Sequence, residues 1–282
     1  MKRITFMLIT AAGMLLASTV GFAQGNISCT RGGLQQAVKL YIEAQTKGDP
    51  SVLPLAKSVE YLENMAPHKL SDGIINKPMK IDHTLSIFDE YTCQTFTEVI
   101  VTDPKNPYVL GTRLRVNHDK VAELEILWTT TGYWLFDADN YLKYSKAEDW
   151  GPIPAEKRDT RGFLAFAANS YLDAFLEAKI DLVPWGFPCV RIEGGAYTGR
   201  GRPDDSCEVG VPAGVNITSR RFIIDDVLGA VAVYCRFGGG ESGAPDTHLF
   251  RVENSKLRYV HTLTHLLQAN FQGGKVDPPP IQ

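Results

Sequence analysis

The sequence predicts an α+β protein built from two copies of one unit in tandem, each a curved antiparallel sheet with helices packed on one face. Three observations predict it. A strand–turn–strand pattern occurs twice, as "GTRLRVNHDKVAELEIL" at 111–127 and as "DTHLFRVENSKLRYVHTLT" at 246–264. The copies keep register: Ile87, Asp89, Arg115, Val116, Lys120 and Leu127 recur as Ile223, Asp225, Arg251, Val252, Lys256 and Leu263, each 136 positions later. Register matters because a one-residue slip would turn every inward side chain outward. Finally, each hairpin is preceded by an amphipathic helix and a short strand ending in an acid. A helix followed by a run of strands argues for helices segregated to one face of a sheet.

The elements follow in order. "MKRITFMLITAAGMLLASTVGFAQG" opens with Lys2 and Arg3, continues as an apolar run, and places Gly21 and Ala23 before Gln24. This reads as a signal peptide over 1–23, cleaved near Ala23. Lobe 1 spans 24–144. Its helix is marked by Leu34, Val38, Tyr41, Ile42 and Ala44 at helical spacing and stopped by Gly48 and Pro50. "VEYLEN" at 59–64 is a strand, and long strands run from His83 to Leu127. A Pro-rich, charged linker covers 145–161, with Trp150 to anchor it on one lobe. Lobe 2 spans 162–272. Its helix runs from Phe163 to Ala178, with Tyr171 standing where Tyr41 does. The strand "VRIEGG" lies at 190–195, and the last hairpin turns at Glu253-Asn254-Ser255. The tail, 273–282, is expected to be flexible.

Composition is that of a globular protein, with 44% hydrophobic residues and a net charge of −3. No basic stripe suggests nucleic acid, no amphipathic basic helix suggests a membrane surface, and no stretch after the signal is long and apolar enough to span a bilayer. A homo-oligomer is left open. The protein is expected to be secreted or periplasmic. There are five cysteines. In an oxidising compartment two bridges and one thiol are expected. Five choices of free thiol and three pairings of the rest give about fifteen arrangements; the favoured one joins Cys189 to Cys207, closing a polar, Gly-rich loop, and Cys29 to Cys93, tying the mature N-terminus to the first sheet. Cys235, inside the apolar "GAVAVYCRF", reads as a small buried side chain.

A helix, then strands, then a long hairpin resembles the NTF2-like (SnoaL-like) α+β cone. Motifs such as "PWGFPCVRIEGGAYTG" and "SRRFIIDDVLGAV" are similar to those of a secreted fungal and bacterial family of largely unknown function. The resemblance implies two NTF2-like cone domains in tandem, each able to hold a small apolar, aromatic or polyketide-like molecule in its mouth. It also implies cofactor-independent lyase or isomerase chemistry. Some sphingomonad members of the wider superfamily release formaldehyde from lignin-derived diaryl compounds.

The residues themselves offer no cofactor motif. "RFGGGESGAP" lacks the Lys and the helix of a phosphate loop. His261 and His265 have metal-ligand spacing on a helix, but on a strand they stand about 13 Å apart, so no metal is expected. Chemistry then falls to side chains: a base, an acid and a stabiliser of negative charge. The candidates in lobe 1 are His83 as base, Glu63 or Tyr61 as acid, and Arg113 as anion stabiliser. Trp128, Trp134 and Tyr41 are candidate ligand-binding residues, as are Glu193, Tyr259 and His261 in lobe 2, where Arg191 and His248 complete the polar set. Which lobe is active stays open. The reaction expected is proton abstraction followed by elimination, carbon–carbon cleavage or isomerisation; the alternative is a non-catalytic binding protein. Mass spectrometry of the exported protein should give a mature N-terminus close to Gln24, and an intact Met1 would refute the signal-peptide reading.

Overall fold

The computed structural model describes residues 26–177 and 180–270. The expected signal peptide and tail lie outside them. In lobe 1, α1 (Arg31–Lys47) is followed by β1 (Leu55–Glu63), β2 (Ala66–Pro67), β3 (His83–Asp89), β4 (Gln94–Val101), β5 (Tyr108–Asn117) and β6 (Lys120–Thr130). A connecting helix, α2 (Ala138–Ser145), leads to lobe 2. There α3 (Arg161–Glu177) precedes β7 (Trp185–Glu193), β8 (Ala196–Tyr197), β9 (Ile217–Asp225), β10 (Ala230–Phe237), β11 (Ala244–Glu253) and β12 (Lys256–Thr264). The two six-stranded sheets have the same order, β2-β1-β6-β5-β4-β3 and β8-β7-β12-β11-β10-β9.

The repeat is closer than residue identity suggests. Helix α1, β1 and β2 recur with identical bounds 130 positions later, and β4 and β5 recur 136 later. The register changes in the connection between the second and third strand, which runs over 198–216 in lobe 2 and holds Cys207. Both long helices start on a Thr. Thr30 Oγ1 accepts from Gly33 N at 3.2 Å, and Thr160 Oγ1 from Phe163 N at 3.2 Å, satisfying one of the free N–H groups of a first turn. The β11–β12 turn is narrower than the sequence suggests: Asn254 and Ser255 carry it with φ of 52° and 60°, the left-handed pair of a two-residue hairpin.

One expectation needs correcting. The sheets are mixed, not antiparallel. β1 runs parallel to β6, pairing Tyr61 with Leu124 and Glu63 with Ile126, and β7 runs parallel to β12. The meander β3–β6 is tied by short turns that force antiparallel pairing. β1 reaches β6 without a shared turn, so its direction is free.

Each sheet is covered on both faces. One face packs on its own helix, with Leu34, Ala37, Tyr41 and Ala44 in lobe 1 and Leu164, Ala167, Tyr171 and Phe175 in lobe 2. The other faces meet each other through Ile87, Phe96 and Leu127 on one side and Ile223, Tyr234 and Leu263 on the other. This interface is close to two-fold symmetric. Arg31 makes two hydrogen bonds of 2.9 Å to Asp225, which also accepts from Phe88 N at 2.9 Å. In mirror fashion Arg161 donates to Asp89 at 2.9 Å, and Asp89 accepts from Ile224 N at 3.0 Å. Arg221 of lobe 2 grips Glu125 of lobe 1 with two bonds of 2.6 Å. The close approach uses Gly111, whose missing side chain would press on Phe96 at 3.0 Å and on Thr247 of the other lobe at 3.3 Å. Trp150 docks the linker onto Tyr259 and His261.

Both expected disulfides are formed, Cys29–Cys93 and Cys189–Cys207, and Cys235 is free and buried. The bridges suit an oxidising, extracellular-type environment. Among the described residues no helix is long and apolar enough to cross a membrane.

Asp225 is fully buried, so Asp225→Ala should strand Arg31 and cost about 3–5 kcal/mol. Urea unfolding of this variant, of Arg31→Ala and of the double variant should show a double-mutant loss smaller than the sum of the two. Its exposed neighbour is the control: Asp226→Ala should stay within about 0.5 kcal/mol of the parent.

Candidate active site

The structure does not bring the four lobe 1 candidates together. Tyr61 and Glu63 lie on the helix-facing side of sheet one, where Tyr61 belongs to the core. Glu63 accepts from the Tyr61 hydroxyl, from Ile74 N and, at 3.2 Å, from Trp128 Nε1. His83 and Arg113 lie on the opposite side, facing lobe 2. His83 pairs with Ile100; burial first lowers its pKa, and the nearby Glu98 acts the other way. Arg113 is held by Glu125 at 3.0 Å, Glu123 at 2.6 Å and Gln94 at 2.8 Å. Tyr41 is fully buried, its hydroxyl 2.6 Å from Thr112. Trp128 sits edge-on to Tyr108, Tyr133 and His265 and packs against the lobe 1 core.

Lobe 2 is built differently at the same positions. Between its sheet, α3 and the disulfide-tied loop lies a pocket of about 210 Å³. Its walls are mainly apolar, with Trp134, Phe175, Val209 and Phe237 among them, and Glu193 and Arg191 supply the charge. Arg191 is nearly inaccessible. It donates to the Tyr171 hydroxyl at 3.0 Å, to Cys207 O at 3.1 Å and to Val209 O at 2.6 Å. The Cys189–Cys207 bridge therefore fixes the carbonyls that fix the guanidinium. Glu193 accepts from Trp134 Nε1 at 2.8 Å and stands 3.2 Å from Arg191 Nε.

A polar ribbon crosses the inner face of sheet two toward this pocket. Cys235 of β10 faces Asp246 of β11, which faces Thr264 of β12. In the next row His248 faces Thr262, which faces Glu193 of β7. Asp246 is 1% exposed, and burial first, then the Glu193 carboxylate, push its carboxyl well above the usual range. Burial, then Arg191 and Arg220, lower His248 to about 3, so its imidazole is neutral. The equivalent lobe 1 positions hold Val99, Leu110, Thr112, Ile126 and Trp128. Sequence reasoning named Arg191, Glu193 and His248 but missed Asp246, Thr262 and Thr264. Reading the 136-residue register column by column for polar-against-apolar differences would have found them.

Residues 157–264 match the family model described as Domain of unknown function (DUF8021). No curated protein and no solved structure matches the chain. The matched stretch contains the whole polar ribbon and most of the pocket wall, while Trp134, Leu135 and Leu266 of the wall and all of lobe 1 lie outside it.

Tyr259 and His261 point the other way, into the interface between lobes, and do not line this pocket. Strand neighbours alternate sides, so Thr262 and His261 cannot share a face. His261 is fully buried. Its Nδ1 is 2.8 Å from Glu98 of lobe 1 and its Nε2 2.6 Å from Glu148 of the linker. Tyr141 donates to Glu98 at 2.8 Å and Trp150 to Glu148 at 2.9 Å. Burial pulls the imidazole pKa down, but Glu98 and Glu148 outweigh it and raise it to about 10. His261 thus carries a proton that joins lobe 1, linker and lobe 2.

A folded pKa above the unfolded value of about 6.5 adds stability that is complete below that pH and disappears as pH climbs through 10. The melting temperature should therefore fall between pH 6.5 and 10 more steeply in the parent than in His261→Gln. At neutral pH that variant should be less stable by about 3–5 kcal/mol, because two buried carboxylates lose their cation. Parallel pH curves for both proteins would remove this role from His261.

Proposed function

We propose that the protein is exported and that lobe 2 is an NTF2-like cone that binds a small, largely apolar, aromatic molecule and acts on it by proton abstraction. One observation carries the reading. Glu193 presents a carboxylate in the wall of a mainly apolar pocket, beside Arg191, while its lobe 1 counterpart Glu63 is capped by Tyr61, Ile74 and Trp128. Size narrows the substrate. A cavity of about 150 Å³ holds benzene, so about 210 Å³ suits one substituted ring. A diaryl molecule would seat one ring and leave the second at the mouth.

In this scheme Glu193 is the general base. Trp134 and Arg191 orient its carboxylate, so no side-chain search precedes the proton transfer. Asp246, whose carboxyl burial and then Glu193 push up, lies deeper in the same face. Loss of the proton leads to elimination, isomerisation or carbon–carbon cleavage; a hydroxymethyl-bearing substrate would release formaldehyde. The alternative is a binding protein without turnover. The double engagement of Glu193 by Trp134 and Arg191 favours that reading, since the same contacts hold a carboxylate as a fixed acceptor.

Single-ring and diaryl phenols, screened by thermal shift and then by turnover, test the proposal. A true ligand at 100 times its dissociation constant should stabilise by about 2.7 kcal/mol. Glu193→Gln keeps shape and should lower turnover by about 10²–10⁴ with affinity nearly unchanged, while His83→Ala should leave turnover intact. Binding without any turnover in the parent selects the binding-protein reading. Loss of activity in His83→Ala with none in Glu193→Gln would move the site to lobe 1.

A further inference from the structure

We infer that lobe 2 carries a transition-metal site formed by the Cys235 thiolate, the Asp246 carboxylate and His248 Nδ1, on the inner face of its sheet. The inference does not depend on the pocket being catalytic. The three donor atoms lie within 4.8 Å of one another. Cys235 Sγ is 3.8 Å from His248 Nδ1, and that nitrogen is 3.4 Å from Asp246 Oδ1. Zinc bonds of about 2.3 Å to sulfur and about 2.0–2.2 Å to nitrogen and oxygen require tetrahedral edges of roughly 3.6 Å for N···S and roughly 3.4 Å for N···O. Two edges therefore match before any ion enters. The third, at most 4.8 Å, closes with a small side-chain rotation.

Strand geometry makes the arrangement. Asp246 and His248 are two apart on β11, so they share a face, and Cys235 is the cross-strand partner of Asp246. Two further facts point to a ligand. Asp246 Oδ1 is buried and has no hydrogen-bond donor, and neither does the Thr262 hydroxyl opposite His248. A buried polar atom left unpaired costs free energy, and the fold does not require one here. Lobe 1 builds the same sheet with Val99, Leu110 and Thr112 in the corresponding places. Tyr171, Phe175 and Phe250 pack around the His248 ring, with Arg191 and Arg220 the nearby charges, so an ion entering here gives up most of its hydration shell to the three side chains.

The donor set selects the ion. A thiolate, an imidazole and a carboxylate suit Zn²⁺ over the hard cations Mg²⁺ and Ca²⁺. The two anionic ligands cancel a divalent charge, leaving the buried site neutral. Binding displaces the thiol proton and the carboxyl proton to solvent, and no redox change occurs. Three protein ligands leave a fourth position for water or for a molecule entering past Thr264, which lines the pocket and contacts Asp246 at 3.4 Å.

The test uses the full mature chain with both disulfides, produced in medium supplemented with zinc or with cobalt. One zinc per chain by elemental analysis is expected, and the cobalt form should show a thiolate-to-cobalt charge-transfer band and intense visible bands of a tetrahedral site. Cys235→Ser should abolish the charge-transfer band. The triple variant C235V/D246L/H248T copies the core of lobe 1; it should fold and hold no metal. If it fails to fold, Cys235→Ser and its lost band still decide. A parent protein without stoichiometric metal from either medium overturns the inference, as does a folded triple variant that retains the same metal content.

Discussion

Asp89 and Asp225 are the points on which the two lobes are joined. Each is fully buried and would be prohibitively costly as an unpaired carboxylate. Each holds backbone N–H groups of its own lobe but meets its guanidinium only when the other lobe is docked: Arg31 and Phe88 N come to Asp225 from lobe 1, and Arg161 and Ile224 N come to Asp89 from lobe 2. Burial alone would raise the Asp89 pKa, but Arg161, Ile224 N and Thr92 outweigh it and hold it below the ordinary value. The apolar faces between the sheets supply the driving force for docking, and they are non-directional. The paired carboxylates supply direction. They accept only the near-two-fold arrangement in which each Arg meets the opposite Asp.

That symmetry has a consequence for the inner faces. Because each lobe covers the outer face of the other's sheet, the surface beneath each helix is left to diverge. In lobe 1 it has filled: Trp128 packs against the core, Glu63 is capped and Leu110 and Val99 complete a dry core. In lobe 2 it has opened and become polar, with Arg191 pinned by the loop that Cys189–Cys207 anchors. A packed lobe beside an open one is a reasonable division, since buried polar groups and cavities weaken the unit that holds them. The extra residues between β8 and β9 make the difference physically: they carry Cys207, Val209 and Gly210 over the mouth, where lobe 1 has the short helical turns around Ile74 and Ile75.

Much of the fold was legible. The helix spacing of Leu34, Val38 and Tyr41, the 136-residue register and the two disulfides are local or pairwise signals. Local chemistry imposes them: a stripe must face a core, and a loop bridge needs two nearby thiols. The site was only partly legible. Glu193 was named as a ligand-binding residue and Arg191 as part of the lobe 2 polar set, whereas Trp134 was grouped with lobe 1 and instead lines the lobe 2 pocket. His83 and Glu63 were paired by sequence proximity and turn out to face opposite ways. His261 was grouped with the lobe 2 ligand-binding candidates Glu193 and Tyr259, yet its two carboxylates come from β4 and the linker.

The sequence by itself determined the repeat, the strand register within each lobe, the bridges and the alternation of sides along every strand. Only the tertiary structure decided which side is which. A sheet that faces water on one side declares its faces through polar alternation. Here both faces of both sheets are buried, so Thr262 and His261, or Glu63 and the strand that carries Arg113, give no sign of which points beneath its own helix and which toward the other lobe. That assignment depends on how two sheets meet, and the contacts that fix it, Arg31 with Asp225 and Glu98 with His261, join residues 194 and 163 positions apart. No local pattern spans such a distance; the side chains acquire their roles when the lobes dock.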